Sequence, residues 1–397
     1  MPKRETSKRE VIDSDRLVRA LALVVFLEWI AGGAFLPLFP VYLQNEGASP
    51  ALVGAIIAAY FIAGLLCQIP AGRAVDRFGP RRILLIGQAF YVASTLAFLI
   101  SSTPNNALIF RFIQGLGAAM AEVAALSIVG VAVAPERRGR AFSTIYGGQL
   151  SGTIIGPLVG AVFGVDHMQM LFVVTTLVAA ASSIPVFLHP ELKNIPRRDT
   201  TVALTKLNLQ AGAKGAIMLA AAFGLIVGTY DASWSLLLHN RGASDAIINL
   251  SWVLFSLPFV LMTKPAGWMV DHLDRRLLAL TGLAIEVLLC SLYPFIHNVA
   301  IILGIATFEA CALAVALPSG QSLMTEEVAD DGHGRVQGLY ATAQLGAMTV
   351  AATFAGYLFT KAPWAPFVAM AITSGFVGIG IAFTWRTTQG RVQHTTN

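Results

Sequence analysis

The stretch PAGRAVDRFGPRR, residues 70–82, occurs a second time in altered form as KPAGWMVDHLDRR, residues 264–276. A single offset of 195 residues aligns their shared Pro, Ala, Gly, Val, Asp and Arg positions. The same offset aligns NEGAS at 45–49 with NRGAS at 240–244. One spacing that holds over about 35 residues indicates an internal duplication, in which the chain consists of two copies of one unit.

Composition defines the kind of unit that is repeated. Of the 397 residues, 56% are hydrophobic and only 12% are charged, whereas about a quarter of the residues of a soluble domain are charged. Apolar runs of about 20 residues can span roughly 30 Å of hydrocarbon as helices, because each residue rises about 1.5 Å. Backbone groups in lipid must bond within their own segment. We therefore predict an all-α integral membrane protein in a lipid bilayer.

The apolar runs predict twelve transmembrane helices, six in each copy. The predicted spans cover residues 17–43, 51–71, 82–102, 107–134, 141–164, 169–189, 215–238, 246–266, 277–296, 299–324, 336–360 and 365–386. The corresponding division is an N-terminal tail (1–16), a first bundle (17–189), a linker (190–214), a second bundle (215–386) and a C-terminal tail (387–397). Within the linker, residues 200–210 are expected to form a helix along the membrane surface.

Lys and Arg residues are distributed unequally between the two sides of the predicted bundle. The N-terminal tail and the loops after even-numbered spans contain 24 of the 27 Lys and Arg residues. Arg241 and Lys361 lie on the opposite side, and Arg111 lies within a span. Because positively charged loops remain in the cytoplasm, we expect both termini there and the protein in the cytoplasmic (inner) membrane. This topology accounts for the net charge of +5, and we expect no nucleic-acid binding.

Sequence signals for catalysis or for a bound cofactor are missing. The chain contains no P-loop, no Gly-x-Ser-x-Gly and no His-Glu-x-x-His. Cys67, Cys290 and Cys311 fall in predicted spans, which argues against a disulfide framework, and they lack the grouping of a metal site. We therefore predict a protein that is not an enzyme and has no cofactor and no metal.

Three motifs resemble those of the major facilitator superfamily of transporters. GRAVDRFGPRR (72–82) is similar to the superfamily's loop signature between spans 2 and 3, and RFIQGLGAA (111–119) is similar to its span 4 signature. GGQLSGTIIGPLVG (147–160) is similar to the span 5 signature typical of proton-coupled antiporters, especially drug exporters. The resemblance covers nearly the whole chain. It implies two pseudo-symmetric six-helix bundles that alternate access to a central cavity.

The loop signature predicts a cytoplasmic gate between the two halves. Its predicted members are Gly72, Asp76, Arg77, Gly79, Arg81, Arg82 and the repeated Asp271. We expect the two glycines to form a tight turn, and Asp76 to dock at the start of span 11, because a helix N-terminus favours an anion. Acidic residues within 326–331 would face the arginines of the signature. In the second copy, Asp271 and Asp274 would face the arginines within 137–140; the alternative is that all these arginines only set the topology.

A glycine stripe runs along predicted span 5. Gly148, Gly152, Gly156 and Gly160 recur every four residues, and Pro157 lies among them. Small residues on one face let membrane helices approach closely, and a proline bends the helix. We predict that the stripe packs against the other half as a rocking surface; static packing is the alternative.

Ionisable residues within predicted spans are the candidates for a proton-coupling or substrate-binding cavity, because a charge in hydrocarbon is costly without a partner or water. The candidates are Glu28 in span 1, Arg111 and Glu122 in span 4, Asp231 in span 7 and Glu309 in span 10. Glu286 in span 9 is expected to have a structural pairing instead.

Glu28 and Glu122 lie at similar predicted depths, and a carboxyl group removed from water can retain a proton near neutral pH. A cationic substrate would compete with that proton, which gives exchange driven by a proton gradient. For each acid, the alternative is a structural bond to Ser, Tyr or the backbone. Arg111 matches the signature arginine that the resemblance implicates in proton coupling, although it could also snorkel. Glu309 occupies the repeat position of Gln114 and is expected to line the facing wall.

The resemblance and these acids favour a proton-coupled efflux antiporter of the multidrug type for lipophilic or cationic small molecules, acting as a monomer. Trp29 beside Glu28 and Tyr230 beside Asp231 offer aromatic rings for lipophilic cations. Leu36 stands where many drug exporters have a second acid in span 1. One alternative is a proton-coupled transporter or flippase of an endogenous metabolite, siderophore, sugar derivative or lipid. Another is a non-transporting sensor on the same scaffold.

Overall fold

The computed structural model describes residues 14–101, 103–189, 192, 195, 209–326 and 333–393, and fifteen α-helices account for nearly all of them. The helices are α1 (Ser14–Phe35), α2 (Phe39–Asn45), α3 (Pro50–Phe78), α4 (Pro80–Ile100), α5 (Pro104–Ala132), α6 (Pro135–Phe163), α7 (Met168–Ala181), α8 (Ile184–Leu188), α9 (Ala211–Asn240), α10 (Asp245–Leu261), α11 (Thr263–His272), α12 (Arg275–Cys290), α13 (Val299–Glu326), α14 (His333–Phe359) and α15 (Ala365–Gln393). The predicted surface helix at 200–210 lies outside the described residues except for its last two, which are not helical.

Three of the twelve transmembrane spans each consist of two consecutive helices with a break between them. These pairs are α1 and α2, α7 and α8, and α10 and α11. Within the described part of the chain, nine helical segments are long and apolar enough to cross a membrane, or ten if α10 and α11, which meet at 50°, count as one. The other two crossings, α6 and α14, pack between several helices. Lipid therefore contacts less of their surface, and their sequences can be more polar. The predicted fold of twelve transmembrane helices is confirmed.

The sequence duplication is visible as two aromatic clusters whose ring centres are similarly spaced. The first cluster consists of Phe35, Phe39, Phe98 and Phe172, and the residues 195 positions later form the second, Tyr230, Trp234, Tyr293 and Phe367. The second and third rings are 5.4 Å apart in the first cluster and 5.5 Å apart in the second. The first and fourth rings are 5.8 and 5.7 Å apart. The two copies thus fold as equivalent bundles.

The halves meet through two helix pairs that are themselves related by the repeat, α3 with α14 and α10 with α6. A Cβ added to Gly54 would collide with the backbone of Gly356. At the repeat position of Gly54, Asn249 lies against Gly160. The backbone N–H of Val165 donates to Asp245 Oδ2 at 2.7 Å. These contacts lie on the side of the bundle opposite the chain termini, which we call the far side; we call the other the terminal side.

On the terminal side, Gly72 near the end of α3 and Gly338 near the start of α14 would each accept a Cβ with no described atom within 4 Å, and so would Gly267 in α11. Gly54, Gly160 and Gly356 near the far side have no such room. Among the described residues, these close contacts between the halves therefore lie on the far side.

The glycine stripe of α6 packs mainly against α1 of its own half, so the predicted packing against the other half is wrong for most of its length. Added Cβ atoms at Gly148, Gly152 and Gly156 would collide with α1, and at Gly156 they would meet Gly33. Gly160, one turn beyond Pro157, touches both α1 and Asn249 of the other half. The glycines of α6 let the backbone of α1 approach closely along the crossing, which favours static packing.

The predicted gate turn is made by one glycine and not by two. Gly79 has a φ of +88° and separates α3 from α4, a conformation that favours glycine. Gly72 lies within the continuous helix α3 together with Asp76 and Arg77, while Arg81 and Arg82 lie in the first turn of α4.

The second predicted gate is not formed in this conformation. Asp274 accepts hydrogen bonds from the N–H groups of Arg276 and Leu277, and thus caps its own helix α12. Within the described residues, Asp271 forms no ion pair with the arginines at 137–140. Of the acidic residues predicted to face the arginines of the signature, those at 327–331 and the side chain of Glu326 lie outside the described residues. Both gates stay predictions.

The packing of α6 on α1 predicts that Gly156→Ala destabilises the protein. The new methyl group must displace the backbone of Gly33, and overpacking of this kind costs about 1–3 kcal/mol in the free energy of unfolding. Thermal unfolding in detergent measures the effect. Gly147→Ala in the same helix is the control, because no atom lies within 4 Å of its Cβ; equal melting temperatures for the two variants would contradict this packing.

The bond between Val165 and Asp245 predicts that Asp245→Ala loosens the far-side closure. A cysteine placed at Asn249 should then react faster with a thiol reagent applied from the far side, because the halves separate there more often. Ser244→Ala is the matched control, since Ser244 caps the same helix but bonds only to Ile247 of its own half. Equal labelling rates in the two variants would show that this bond does not hold the halves together.

Candidate functional site

Arg111 of α5 points into the bundle and does not snorkel to the membrane surface. Its side chain is 4% exposed, and Nη1 donates to Gln114 Oε1, one helical turn away. The guanidinium carbon lies 4.5 Å from the ring centre of Tyr60 and within 6 Å of the rings of Phe35 and Phe39. Ring faces attract a cation that has lost its water, so this aromatic cage holds the charge.

The guanidinium has no carboxylate in direct contact. Among the residues that the structure describes, Arg111 forms no ion pair, and its buried Nε has no hydrogen-bond partner. The acid within electrostatic range is Asp231 of α9, which belongs to the other half. Arg111 and Asp231 therefore attract each other across the space between the halves, as opposite charges do at longer range in a medium of low dielectric constant.

Glu28 of α1 and Glu122 of α5 form the acidic part of the site. The two carboxyl groups are within electrostatic range of each other. Oε1 of Glu28 is buried and has no hydrogen-bond partner, and Gln88 lies beside this side chain. Glu122 is exposed and lies within range of Tyr146 of α6, which is also exposed. Glu122 thus lies near Glu28 of α1 and Tyr146 of α6 and is accessible from outside the bundle.

Tyr60 of α3 connects all these groups. It is the ring beneath Arg111, and it lies within electrostatic range of Glu28, Glu122 and Asp231 as well. We call Tyr60, Glu28, Arg111, Glu122 and Asp231 the central polar cluster. Four of its five members were predicted from the sequence as site residues, and the structure brings these four together between the halves.

Glu309, the fifth predicted site residue, does not line the space between the halves, and that expectation was wrong. It is fully buried inside the second half, where Oε2 accepts hydrogen bonds from Tyr230 at 2.6 Å and Tyr293 at 2.8 Å. Tyr230 points to this acid and is not available to flank a cation at Asp231. Adjacent residues of a helix point in different directions, which separates Tyr230 from Asp231.

Sequence reasoning missed Tyr60, Gln88 and Gln114. Tyr60 is one aromatic residue among many in the apolar spans, and only the folded chain places its ring under Arg111. Gln88 donates through Nε2 to the backbone oxygen and the hydroxyl of Ser182, at 3.0 and 3.1 Å. A glutamine buried within an apolar span was a usable signal, because a buried amide needs partners.

A duplicated six-helix bundle whose ionisable groups converge between its halves defines a secondary transporter. The family model for the Major Facilitator Superfamily matches residues 21–232 and again residues 215–396. The chain belongs to this superfamily. Its members are transporters, and the predicted family and the prediction that the chain is not an enzyme are confirmed. The protein is a multi-pass membrane protein.

Individual relatives are distant. The chain is 23% identical over 399 residues to Multidrug resistance protein 2 of Bacillus subtilis (strain 168), covering 96% of this chain and 97% of that protein. Among solved structures, the nucleoside transporter NupG has a TM-score of 0.75 at 14% identity, covering 94% of this chain and 99% of that one. A D-xylose-proton symporter has a TM-score of 0.75 at 16% identity, with coverages of 95% and 98%. At these identities the solved structures establish the fold alone.

The aromatic cage predicts that the ring of Tyr60, and not its hydroxyl, stabilises Arg111. Tyr60→Phe should retain the thermal stability of the wild type, whereas Tyr60→Leu should lose about 0.5–2 kcal/mol. Thermal unfolding in detergent distinguishes the two variants. In an Arg111→Met background, Tyr60→Leu should cost much less, because the cation is gone. Equal losses with and without Arg111 would show that the ring only fills space.

Proposed function

We propose that this protein is a proton-coupled antiporter that exports lipophilic or cationic small molecules by alternating access. The observation that carries the proposal is the pair of acids, Glu28 and Glu122, which lie near each other without a basic partner in direct contact among the described residues. A buried carboxylate oxygen without a partner is costly. A proton or a cationic substrate removes that cost, and the two cannot occupy the same oxygen together. Competition between proton and cation is the basis of exchange.

Arg111 and Asp231 give the exchange a link to the other half. A change of charge on Glu28 or Glu122 acts on Tyr60, which also lies within electrostatic range of Arg111 and Asp231. Such a change shifts the balance between the halves by a few kcal/mol at most, which suffices to change a conformational population. Tyr60 lies in the middle of these groups, and its ring gives a flat surface for a lipophilic cation.

In the proposed orientation, the protein lies in a bacterial-type inner membrane and its terminal side faces the cytoplasm. The 24 basic residues on that side support this assignment. The close contacts between the halves lie on the far side, and a cavity that opens on the opposite side would accept substrate from the cytoplasm, which suits export. The name of the Bacillus relative supports efflux, while the neighbours in structure bear the names of nucleoside and sugar transporters.

Proton flux in proteoliposomes tests the proposal. The purified protein, with a pH-sensitive dye inside the vesicles, should release protons when a lipophilic cation such as ethidium is added. Glu28→Gln should abolish or strongly reduce this flux, because an amide cannot exchange a proton. Glu122→Gln should reduce it at least severalfold. Glu46→Gln is the control, since Glu46 is an exposed acid in the far-side turn.

The outcome separates the proposal from its alternatives. Unchanged coupling in Glu28→Gln would remove this residue from the mechanism. If cationic dyes neither bind nor move while a sugar derivative, nucleoside or lipid drives the same flux, the protein transports an endogenous molecule. Absence of flux with every compound would favour a sensor on a transporter scaffold.

A further inference from the structure

The second half contains a polar cluster that the central site does not use. It consists of Tyr230 of α9, Glu286 and Cys290 of α12, Tyr293 in the turn after α12, and Glu309 of α13, and we call it the inner cluster. Four of these side chains are fully buried, and Tyr230 is 7% exposed. Among the described residues, no Lys, Arg or His side chain contacts the two acids. Two buried carboxyl groups in contact with one thiol therefore lack a balancing cation.

The first half shows that the fold does not require acidic groups here. The residues 195 positions earlier, in the same order, are Phe35, Tyr91, Thr95, Phe98 and Gln114. They occupy an equivalent setting, because the ring centres of the aromatic clusters around them lie at matching distances. Tyr91 lies beside Gln114 there, so a neutral pair stands where the second half has two acids. Both acids, the thiol and two hydroxyl groups are thus additions to one copy of a duplicated core.

The thiol lies at the centre of the inner cluster. Cys290 Sγ is 3.4 Å from Glu286 Oε1 and 3.5 Å from Glu309 Oε1. A thiol has one proton and can donate one hydrogen bond at a time, so a proton on sulfur does not explain both contacts. In addition, Oε2 of Glu286 is buried and has no hydrogen-bond partner. The side chain of Glu286 has no exposed surface at which bulk water could replace that partner. An unsatisfied buried oxygen of this kind calls for a ligand.

The distances match the edges of a metal tetrahedron. With a Zn–S distance of about 2.3 Å and Zn–O distances of about 2.0–2.2 Å, sulfur and oxygen ligands lie about 3.5–3.7 Å apart. The ligand atoms of Glu286, Cys290 and Glu309 all lie within 4.8 Å of one another. Glu286 and Cys290 are four residues apart on α12 and thus share one face of the helix. The hydroxyl of Tyr230 is 3.4 Å from Sγ.

The tyrosines orient one ligand in the manner of an outer coordination shell. Both hydroxyl groups donate to Oε2 of Glu309, which leaves Oε1 directed at the thiol. Hydrogen bonds to the far oxygen of a ligating carboxylate fix its direction in metal sites. Trp234 and Phe367 pack against the tyrosine rings and keep water from the cluster.

We propose that Glu286, Cys290 and Glu309 form a binding site for a divalent cation of the zinc class. One thiolate with two carboxylates suits a borderline-soft cation with tetrahedral preference better than it suits Mg²⁺ or Ca²⁺, which bind oxygen ligands alone. The cation supplies the positive charge that the cluster lacks. It also ties α12 to α13 inside one half, so its role is to stabilise that half. The site is independent of the exchange reaction proposed above.

Metal content and cobalt spectroscopy of the full-length protein in detergent test this site. After treatment with a chelator, the wild type should bind one Zn²⁺ per chain and should show a thiolate-to-metal charge-transfer band with Co²⁺. Cys290→Thr should lose the band, and Glu309→Gln should weaken Zn²⁺ binding at least tenfold. Each of these variants introduces the residue that the first half has at the repeat position, so the packing tolerates it. Cys67→Thr and Cys311→Ser are the controls and should bind like the wild type.

Thermal unfolding provides the second measurement. Zn²⁺ should raise the melting temperature of the wild type and of both controls, and should leave Cys290→Thr and Glu309→Gln unchanged, since a ligand that binds only the folded state stabilises it. The proposal is overturned if the wild type binds no more Zn²⁺ than Glu309→Gln. It is equally overturned if the cobalt band survives in Cys290→Thr, or is lost in Cys67→Thr, because the thiol would then lie elsewhere.

Discussion

The guanidinium group of Arg111 is buried 4.5 Å from the ring of Tyr60, and it has no acid in contact among the described residues. A full ion pair at this place would be strong in a medium of low dielectric constant and would lock the halves together. A bare cation would be too costly. The ring faces, Gln114 and the more distant Asp231 satisfy the charge in part, which keeps it attracted to several partners at once. This incomplete pairing lets the same residue respond when a nearby acid gains or loses a proton.

The close approach of the halves on the far side is the mechanical counterpart of that electrostatic arrangement. Gly54 against Gly356, and Asn249 against Gly160, are related by the internal repeat. Backbones that touch at two equivalent places form a shallow, symmetric contact that can separate without unpacking either bundle. The stripe on α6 has another role, since it joins α6 to α1 within one half. Each half can therefore move as a rigid body, and the charge cluster lies at the boundary between them.

The fold could be predicted from the sequence alone. A chain with an internal repeat and twelve apolar runs has few ways to hydrogen-bond its backbone groups in lipid. The sequence also identified Glu28, Arg111, Glu122 and Asp231, since ionisable residues in such runs are rare. It could not determine which way a helix faces. The stripe at Gly148–Gly160 is compatible with a neighbour in either half, and Glu309 fits a cavity wall as well as a core. The role of Tyr60 depends on a contact between α3 and α5 that no local pattern records.

The two polar clusters differ in what movement can do to them. The central polar cluster contains Asp231 of the second half and four residues of the first half. A rocking motion of the halves would therefore change the distances within the cluster and its access to water. The inner cluster lies wholly within the second half, with ligands on α12 and α13 and hydroxyl donors from α9 and the turn at Tyr293. A rigid-body motion leaves its distances unchanged. Groups that exchange protons with both sides of a membrane must change their surroundings during the cycle, whereas groups that hold a structural cation must not, and the proposed exchange site and the proposed cation site of this chain differ in this way.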